Sequence, residues 1–280
     1  MSRFRAIAAL AAGALVLAPQ VAYADTTITA AGSTALLPLV KSAAELYQNA
    51  HSDIHITVTG GGSNVGIAQV AARAVDLGDS DVIARNQPEL VDHKVCVAGF
   101  SVLTHPGVGV KNLGKKQLQD IFAGKVTNWK QLGGADTKIV IINRPRTSGT
   151  RGVFVHTIMG GQALNESGLT EDATGTVIAA VKSTPGAISY AVFAGTKTSK
   201  DGHSSTLEGI AELSIDGVAP TEENVTTGKY PIWSYEHIYT HGPPNKDVSR
   251  FIAFIQSNSK LVHQLGYILT RDMKVTETDR

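Results

Sequence analysis

Strand-like and helix-like segments alternate through most of the chain, and this order constrains the fold more than any other feature. Apolar residues at strand spacing predict strands over 26–32, 53–60, 94–105, 138–144 and 186–193. Apolar residues at helical spacing predict helices over 36–50, 65–75, 115–124, 148–159, 170–183 and 245–259. This alternation favours an α/β architecture with mostly parallel sheets.

The first 24 residues have the organisation of a secretory signal peptide. Arg3 and Arg5 precede a short apolar run, and "AYA" at 22–24 fits a cleavage site with small residues. The alternative is an N-terminal membrane anchor, but the run is shorter than the about 18–20 apolar residues that a span needs. We therefore expect cleavage after Ala24, and no other segment is apolar for long enough to cross a membrane.

The charge of the predicted mature chain is close to zero. Without residues 1–24, the chain has 256 residues with 23 basic and 24 acidic side chains. This balance argues against general binding to nucleic acid or to membrane surfaces, which favours a basic excess. Cys96 is the one cysteine, so no intramolecular disulfide can form, and no cysteine at the cleavage site provides a lipoprotein anchor. We expect a chain that is free in the periplasm or secreted.

Several motifs that suggest enzymes or metal sites fail on inspection. The Gly-x4-Gly-Lys spacing at 109–116 places Lys116 where a phosphate-cradling loop needs Ser or Thr. No G-x-S-x-G nucleophile motif occurs. His237 and His241 lie four apart in a strand-like segment, about 13 Å from each other, too far to share a metal. The acidic pair at 79–81 lacks the rest of an EF-hand loop. We predict no cofactor and no metal.

Gly, Ser and Thr are concentrated at three junctions where a predicted strand meets a predicted helix. These junctions are "AAGSTALLP" (30–38), "TGGGSNVG" (59–66) and "RPRTSGTRG" (144–152). Helix N-termini have unpaired N–H groups and a partial positive charge, so they readily bind anions. For any one junction, ordinary helix capping explains the composition as well. The presence of three such junctions favours binding of one shared ligand, because the ends of parallel strands meet at one edge of a sheet.

Seven segments in order from 32 to 240 resemble one family. They are "GSTALLPLV", "GGGSNVGIAQ", "VDLGDSD", "IFAGKVTNWKQLGG", "NRPRTSGTRGVF", "TPGAISYA" and "YPIWSYEHIYT". Together they resemble the phosphate-binding proteins of ABC phosphate importers, which have the type II periplasmic-binding-protein fold. The resemblance implies two lobes, each with a mixed, mostly parallel sheet flanked by helices, and a ligand cleft at a hinge of two crossovers. Crossovers near Thr104 and Tyr230 divide the chain into a discontinuous first lobe, 25–104 with 231–280, and a second lobe, 105–230.

The resemblance also implies a phosphate site, made of donors from both lobes and one carboxylate. The implied residues are Ser33, Thr34, the N–H of Ala35, Ser63, Asp81, Arg144, Ser148, the N–H of Gly149, and Thr150. Arg144 suits the role because a guanidinium donates two parallel bonds to a tetrahedral oxyanion. Arg146 is expected at the surface, whereas for Arg151 contact with the anion, contact with Asp81 and solvation all stay open.

Asp81 is the unexpected member, because a carboxylate repels an anion. Phosphate at neutral pH keeps at least one proton and can donate it to this acceptor, whereas sulfate has no proton to offer. If sulfate took the same place, a sulfate oxygen and an Asp81 oxygen would face each other as two acceptors without a proton between them. This costs at least about 1–3 kcal/mol in a buried site. Asp81 is therefore interpreted as a selectivity device, and the alternative is an exposed carboxylate in a turn.

The leading hypothesis is a monomeric binding protein that closes around phosphate and delivers it to the membrane permease of an ABC importer. One alternative is a secreted phosphate-ester hydrolase with Ser33, Ser63 or Ser148 as nucleophile. That enzyme needs an activating base or metals, and no histidine lies in the three junctions. Another alternative is a sensor or surface protein that binds phosphate without transporting it.

Overall fold

The computed structural model describes residues 26–193 and 209–278, and it has the alternating order that the sequence predicts. The predicted signal peptide lies outside the described residues. The strands are β1 (Thr26–Gly32), β2 (Ile54–Thr59), β3 (Leu77–Ser80), β4 (Leu90–Thr104), β5 (Asn112–Leu113), β6 (Val140–Asn143), β7 (Leu169–Thr170), β8 (Ala187–Val192), β9 (Ala211–Ile215) and β10 (Trp233–His241). The helices are α1 (Leu37–Ala50), α2 (Ser63–Ala71), α3 (Lys115–Phe122), α4 (Gly149–Phe154), α5 (Thr174–Ser183), α6 (Glu222–Thr226), α7 (Lys246–Ser257) and α8 (Ser259–Gln264).

The long strand β4 connects two groups of strands. Its first part, up to Gly99, pairs with β10, which continues through β3 and β1 to β2. From Phe100 onward it pairs with β8 and β9 instead, and β8 leads to β6 and β7. Pairs within β1–β2, β1–β3, β6–β8, β6–β7 and β5–β9 are parallel, and all pairs of β4 and β10 are antiparallel. The sheet is therefore mixed, as the resemblance implies.

Apolar helix faces and buried aromatic rings hold these layers together. In α1, Leu39, Val40, Ala43 and Tyr47 are buried at spacings of three and four, the stripe that an amphipathic helix places against a sheet. In the second group of strands, Phe154 of α4 stacks on Tyr190 of β8 with ring centroids 4.1 Å apart. Since Phe154 ends α4, this stacking fixes the helix whose other end carries the third Gly/Ser/Thr junction.

Some elements differ from the sequence prediction. The elements that were not predicted are all six residues or shorter. They are the strands β3, β5, β7 and β9 and the helices α6 and α8. The predicted helix over 148–159 consists of α4 followed by a π-helical turn, Val155–Met159. The lysine-rich segment after Gly114 does begin a helix with exposed lysines, as expected. Over residues 26–193 and 209–278, none of the helices has the length and apolar character that a membrane span requires.

Candidate anion-binding site

The second and third junctions lie directly against each other. A Cβ atom at Gly149, the first residue of α4, would be 2.0 Å from the Ser63 hydroxyl oxygen at the start of α2. A Cβ atom at Gly62 would be 2.6 Å from the carbonyl oxygen of Thr147. The N–H of Asn64 donates to the same carbonyl at 3.0 Å. Glycine at both positions thus permits the two helix N-termini to meet.

Asp81 lies at the centre of the three junctions and is 1% exposed. Its Oδ1 accepts a hydrogen bond from the Ser33 hydroxyl, and its Oδ2 accepts one from the Thr150 hydroxyl at 2.8 Å. Its own N–H donates to the Ser63 hydroxyl oxygen at 2.9 Å. The alternative of an exposed turn carboxylate is therefore wrong, because Asp81 is buried and hydroxyl groups from the first and third junctions donate to its side chain.

Arg144 follows β6 and is also 1% exposed. Its Nη2 donates to the Thr34 hydroxyl oxygen and to the carbonyl oxygen of Asp172, both at 3.0 Å. Its Nε and Nη1 are buried and have no partner among the described residues. Burial lowers the pKa of this guanidinium, while the Asp81 charge acts in the opposite direction. A buried guanidinium with unused donors is suited to an anion.

The remaining predicted donors are partly used within the protein. The Thr34 hydroxyl oxygen also accepts from the N–H of Thr174 at 3.3 Å. The N–H of Ala35 donates to the Ser33 hydroxyl oxygen at 3.0 Å. Ser148 caps α4, with its hydroxyl oxygen 3.3 Å from the N–H of Arg151. The same residues therefore cap the helices and contribute to the common site.

Arg151 contacts neither Asp81 nor the centre of the junctions. Its guanidinium binds Glu166 through two nitrogens, at 2.6 and 3.2 Å, and donates to the carbonyl oxygen of Arg144 at 2.8 Å. The pKa of Glu166 is lowered, chiefly by this hydrogen bond. Arg151 thus supports the loop that carries Arg144. The side chain of Arg146 is 86% exposed, which confirms its expected place at the surface.

Two buried carboxyl groups near Asp81 were missed by the sequence reasoning. Asp79 and Glu236 are 0% exposed. Burial, with the nearby Asp81 charge, raises the pKa of each well above its ordinary value. Period-two alternation in "GDSD" places Asp79 on the same face of β3 as Asp81, and this signal was available. Glu236 lies in β10, far away in sequence, and no local pattern marks it.

The described residues contain no group of three or more His, Cys, Asp or Glu side chains placed to hold a metal ion. His237 lies in β10, and its Nδ1 is 2.8 Å from a carboxylate oxygen of Asp92. A cavity of about 290 Å³ opens beside Asp81 and is lined from both sides by residues that include Arg85, His156 and Trp233. Asp81 and Trp233 both line this cavity.

Comparison with known proteins identifies the family. A family model described as "PBP superfamily domain" matches residues 18–259. The phosphate-binding protein PstS of Bacillus subtilis is 42% identical over 261 residues, which cover 90% of this chain and 84% of the relative. The chain belongs to the PstS family within the PBP superfamily.

Other members of the PstS family and their structures agree. The phosphate-binding protein PstS of Borreliella burgdorferi is 25% identical over 257 residues, 87% of this chain and 90% of the relative. A crystal structure from Clostridium perfringens, described as a substrate-binding protein of a phosphate ABC transporter with bound phosphate, has a TM-score of 0.80 at 26% identity and covers 87% of this chain and 99% of that one. A phosphate transport receptor from Vibrio cholerae, with a TM-score of 0.69 at 24% identity over 87% of this chain and 100% of that one, shows the same fold. The type II periplasmic-binding-protein fold is thus confirmed.

Proposed function

We propose that the chain binds inorganic phosphate between the three Gly/Ser/Thr junctions. The observation that carries the proposal is the buried Arg144, whose Nε and Nη1 have no acceptor among the described residues, near the buried Asp81. Donors and one acceptor in a closed site suit an anion that still has a proton. The proposed ligands are Ser33, Thr34, the N–H of Ala35, Ser63, Asp81, Arg144, Ser148, the N–H of Gly149, and Thr150.

Selectivity for phosphate over sulfate follows from the same geometry. Each Asp81 oxygen already accepts one hydroxyl hydrogen bond, from Ser33 or Thr150. A carboxylate has about four lone-pair sites, so acceptor capacity is left for a proton of phosphate. Sulfate has no proton to donate and would leave this capacity unmet at a buried carboxylate.

The cellular role that we propose is delivery of phosphate to the permease of an ABC importer, which the names of the similar proteins support. We propose cleavage after Ala24 and a monomeric chain in the periplasm or outside the cell. The change of pairing partner at Phe100 of β4 supports two lobes with the bounds 25–104 with 231–280, and 105–230. Closure of these lobes would bury the anion.

We also propose that the chain is not an enzyme. A phosphate-ester hydrolase needs a strong base or metals beside its nucleophile. The Ser33 hydroxyl donates to the Asp81 carboxylate and accepts from the backbone N–H groups of Ala35 and Leu36. The Ser63 hydroxyl oxygen accepts from the backbone N–H of Asp81. Turnover of a chromogenic phosphate ester by the purified chain would refute this proposal. A phosphate sensor without transport would leave cellular phosphate uptake unchanged when its gene is deleted, whereas a transport protein would not.

The binding proposal is tested by titrating the predicted mature chain, stripped of endogenous anion, with phosphate and with sulfate. Calorimetry should give one phosphate per chain and little response to sulfate. Tryptophan fluorescence should change with phosphate, because Trp233 lines the cavity beside Asp81. Equal affinity for the two anions would refute the role of Asp81, and binding of neither would refute the phosphate site.

A further inference from the structure

Three buried carboxyl groups lie on one face of the sheet beneath the proposed phosphate site. Asp79 and Asp81 are two residues apart at and beyond the end of β3, and therefore point to the same face. Strand β10 runs antiparallel to β3 with His237 opposite Ser80, so the same register places Glu236 beside Asp81. On its other side Glu236 pairs with Cys96 of β4.

Among the described residues, the charged groups that act on Glu236 are all acidic. The titratable groups that face it are Asp79 and Asp81 from β3, Cys96 from β4, and Tyr267 from the segment after α8. None of these groups is cationic at any pH. Glu236 is 0% exposed, and a second carboxylate beside Asp81 in such a buried place is strongly unfavourable.

The register of β3 and β10 sets the side chains of Glu236 and Asp81 beside each other. Two ionised carboxylates are acceptors only and would repel each other, so a hydrogen bond between the two groups requires a proton on one of them. The supply of donors decides which group carries the proton. Asp81 accepts from two hydroxyl groups, those of Ser33 and Thr150. The Glu236 Oε1 accepts only from the Ser234 hydroxyl at 3.2 Å, and its buried Oε2 has no hydrogen-bond partner among the described residues.

We propose that Glu236 is a protonated acid that donates a hydrogen bond to Asp81 and thereby keeps Asp81 ionised as the acceptor that selects phosphate. Glu236 is a positioning residue: it contacts Asp81 rather than the anion. The inference rests on the proposed phosphate site. Without this donor, Asp81 would take up a proton more readily. A protonated Asp81 could donate a hydrogen bond to sulfate, and the preference for phosphate would be lost.

Two substitutions at Glu236 separate this role from simple packing. Glu236→Gln keeps a neutral donor of nearly the same shape, and Glu236→Met keeps the length without a donor. Because a hydrogen bond to a charged group has a large effect, we expect the phosphate-to-sulfate affinity ratio to fall at least about tenfold in E236M. In E236Q the ratio should stay within about threefold of the parent chain, because the donor is retained. Equal changes in the two variants would overturn the proposal.

The pH profile gives a second readout that packing alone would not move. In the parent chain, phosphate affinity should fall at alkaline pH as Glu236 loses its proton and places a second negative charge beside Asp81. E236Q cannot ionise, so its alkaline fall should be smaller, and the ionisation of phosphate itself is common to both chains. Identical profiles for the parent chain and E236Q would overturn the proposal, even if E236M fails to fold.

Infrared spectroscopy tests whether Glu236 carries a proton when no anion is bound. At neutral pH the parent chain should show the carbonyl band of protonated carboxylic acids, and E236Q should lose part of it, with the Asp79 contribution retained. An unchanged band in E236Q would overturn the proposal. Failure of the parent chain to bind phosphate would instead refute the proposed function, so the two failures are distinguishable.

Discussion

Replacing Asp81 by Asn tests the source of anion selectivity most directly. The substitution removes the charge, leaves one acceptor oxygen and adds an NH₂ donor at nearly constant volume. Asp81 is 1% exposed, so water cannot restore what is lost. The Ser33 and Thr150 hydroxyl groups that donate to the carboxylate can rotate to retain one bond to the amide oxygen.

The expected magnitude follows from the hydrogen bond that sulfate cannot make. A buried acceptor left unpaired costs about 1–3 kcal/mol, which corresponds to about 5- to 150-fold in affinity. Repulsion between sulfate and the carboxylate adds to this cost, and sites of this kind reach about 10⁴–10⁵ in discrimination. In Asp81→Asn the amide can donate to either anion, so the phosphate-to-sulfate ratio should fall at least about tenfold.

Calorimetric titration of the stripped chain with both anions measures this ratio. The matched control is Asp136→Asn, because the Asp136 side chain is 65% exposed and pairs with Lys130 at the surface. The control should leave both affinities unchanged. If Asp81→Asn keeps the parental ratio, the carboxylate does not select the anion. A loss of both affinities by the same factor would refute the reasoning equally, since it would assign Asp81 to general binding.

Three further outcomes follow from the site and its surroundings. Arg144→Lys should weaken phosphate and sulfate together by at least about tenfold, because an ammonium cannot reproduce the forked donors, and calorimetry showing a change for one anion only would contradict this. Gly149→Ala should weaken phosphate binding, because the new Cβ would lie 2.0 Å from the Ser63 hydroxyl oxygen. The control Gly175→Ala should leave the affinity unchanged, because no atom lies within 4 Å of its Cβ position. Equal phosphate affinities of the two variants would show that the close contact at Gly149 is dispensable. Asp79 has a raised pKa when folded, so the folded chain keeps a proton that the unfolded chain releases above about pH 4, and stability falls by up to about 1.4 kcal/mol per pH unit until the folded pKa is reached. In urea unfolding between pH 5 and 8, Asp79→Asn should remove the Asp79 contribution to this slope and leave the contribution of Glu236, whose pKa is also raised. An unchanged slope would mean that Asp79 is ionised in the folded chain.

The elements with a strong local pattern could be predicted from the sequence, and those defined by tertiary pairing could not. The stripe of α1 and the alternation of β2 are visible without a structure. Strand β3 has four residues, among them a glycine and an aspartate, and it is a strand because β1 and β10 pair with it on either side. Backbone pairing of this kind has no signature in a segment that short.

The same limit applies to the proposed site. The Gly/Ser/Thr composition predicted anion-binding junctions, and the family resemblance added Asp81 and Arg144, which the structure places close together. The partner of Arg151 was undecidable, because Glu166 lies in a different loop fifteen residues away. Glu236 was missed because a charged residue in a strand is normally expected on the solvent face, and only the folded structure reveals that it is 0% exposed.

The contact between the second and third junctions consists largely of main chain, and this would affect the entropy of the lobe closure that we propose. Gly62 faces the carbonyl group of Thr147, and Gly149 faces Ser63. Glycine has no rotamers to lose, so bringing these surfaces together immobilises few side chains, which otherwise cost up to about 1.5 kcal/mol each when fixed. More of the attraction between anion and protein therefore remains as net affinity. A larger side chain at either glycine would hold the two loops apart and shift the population toward open forms.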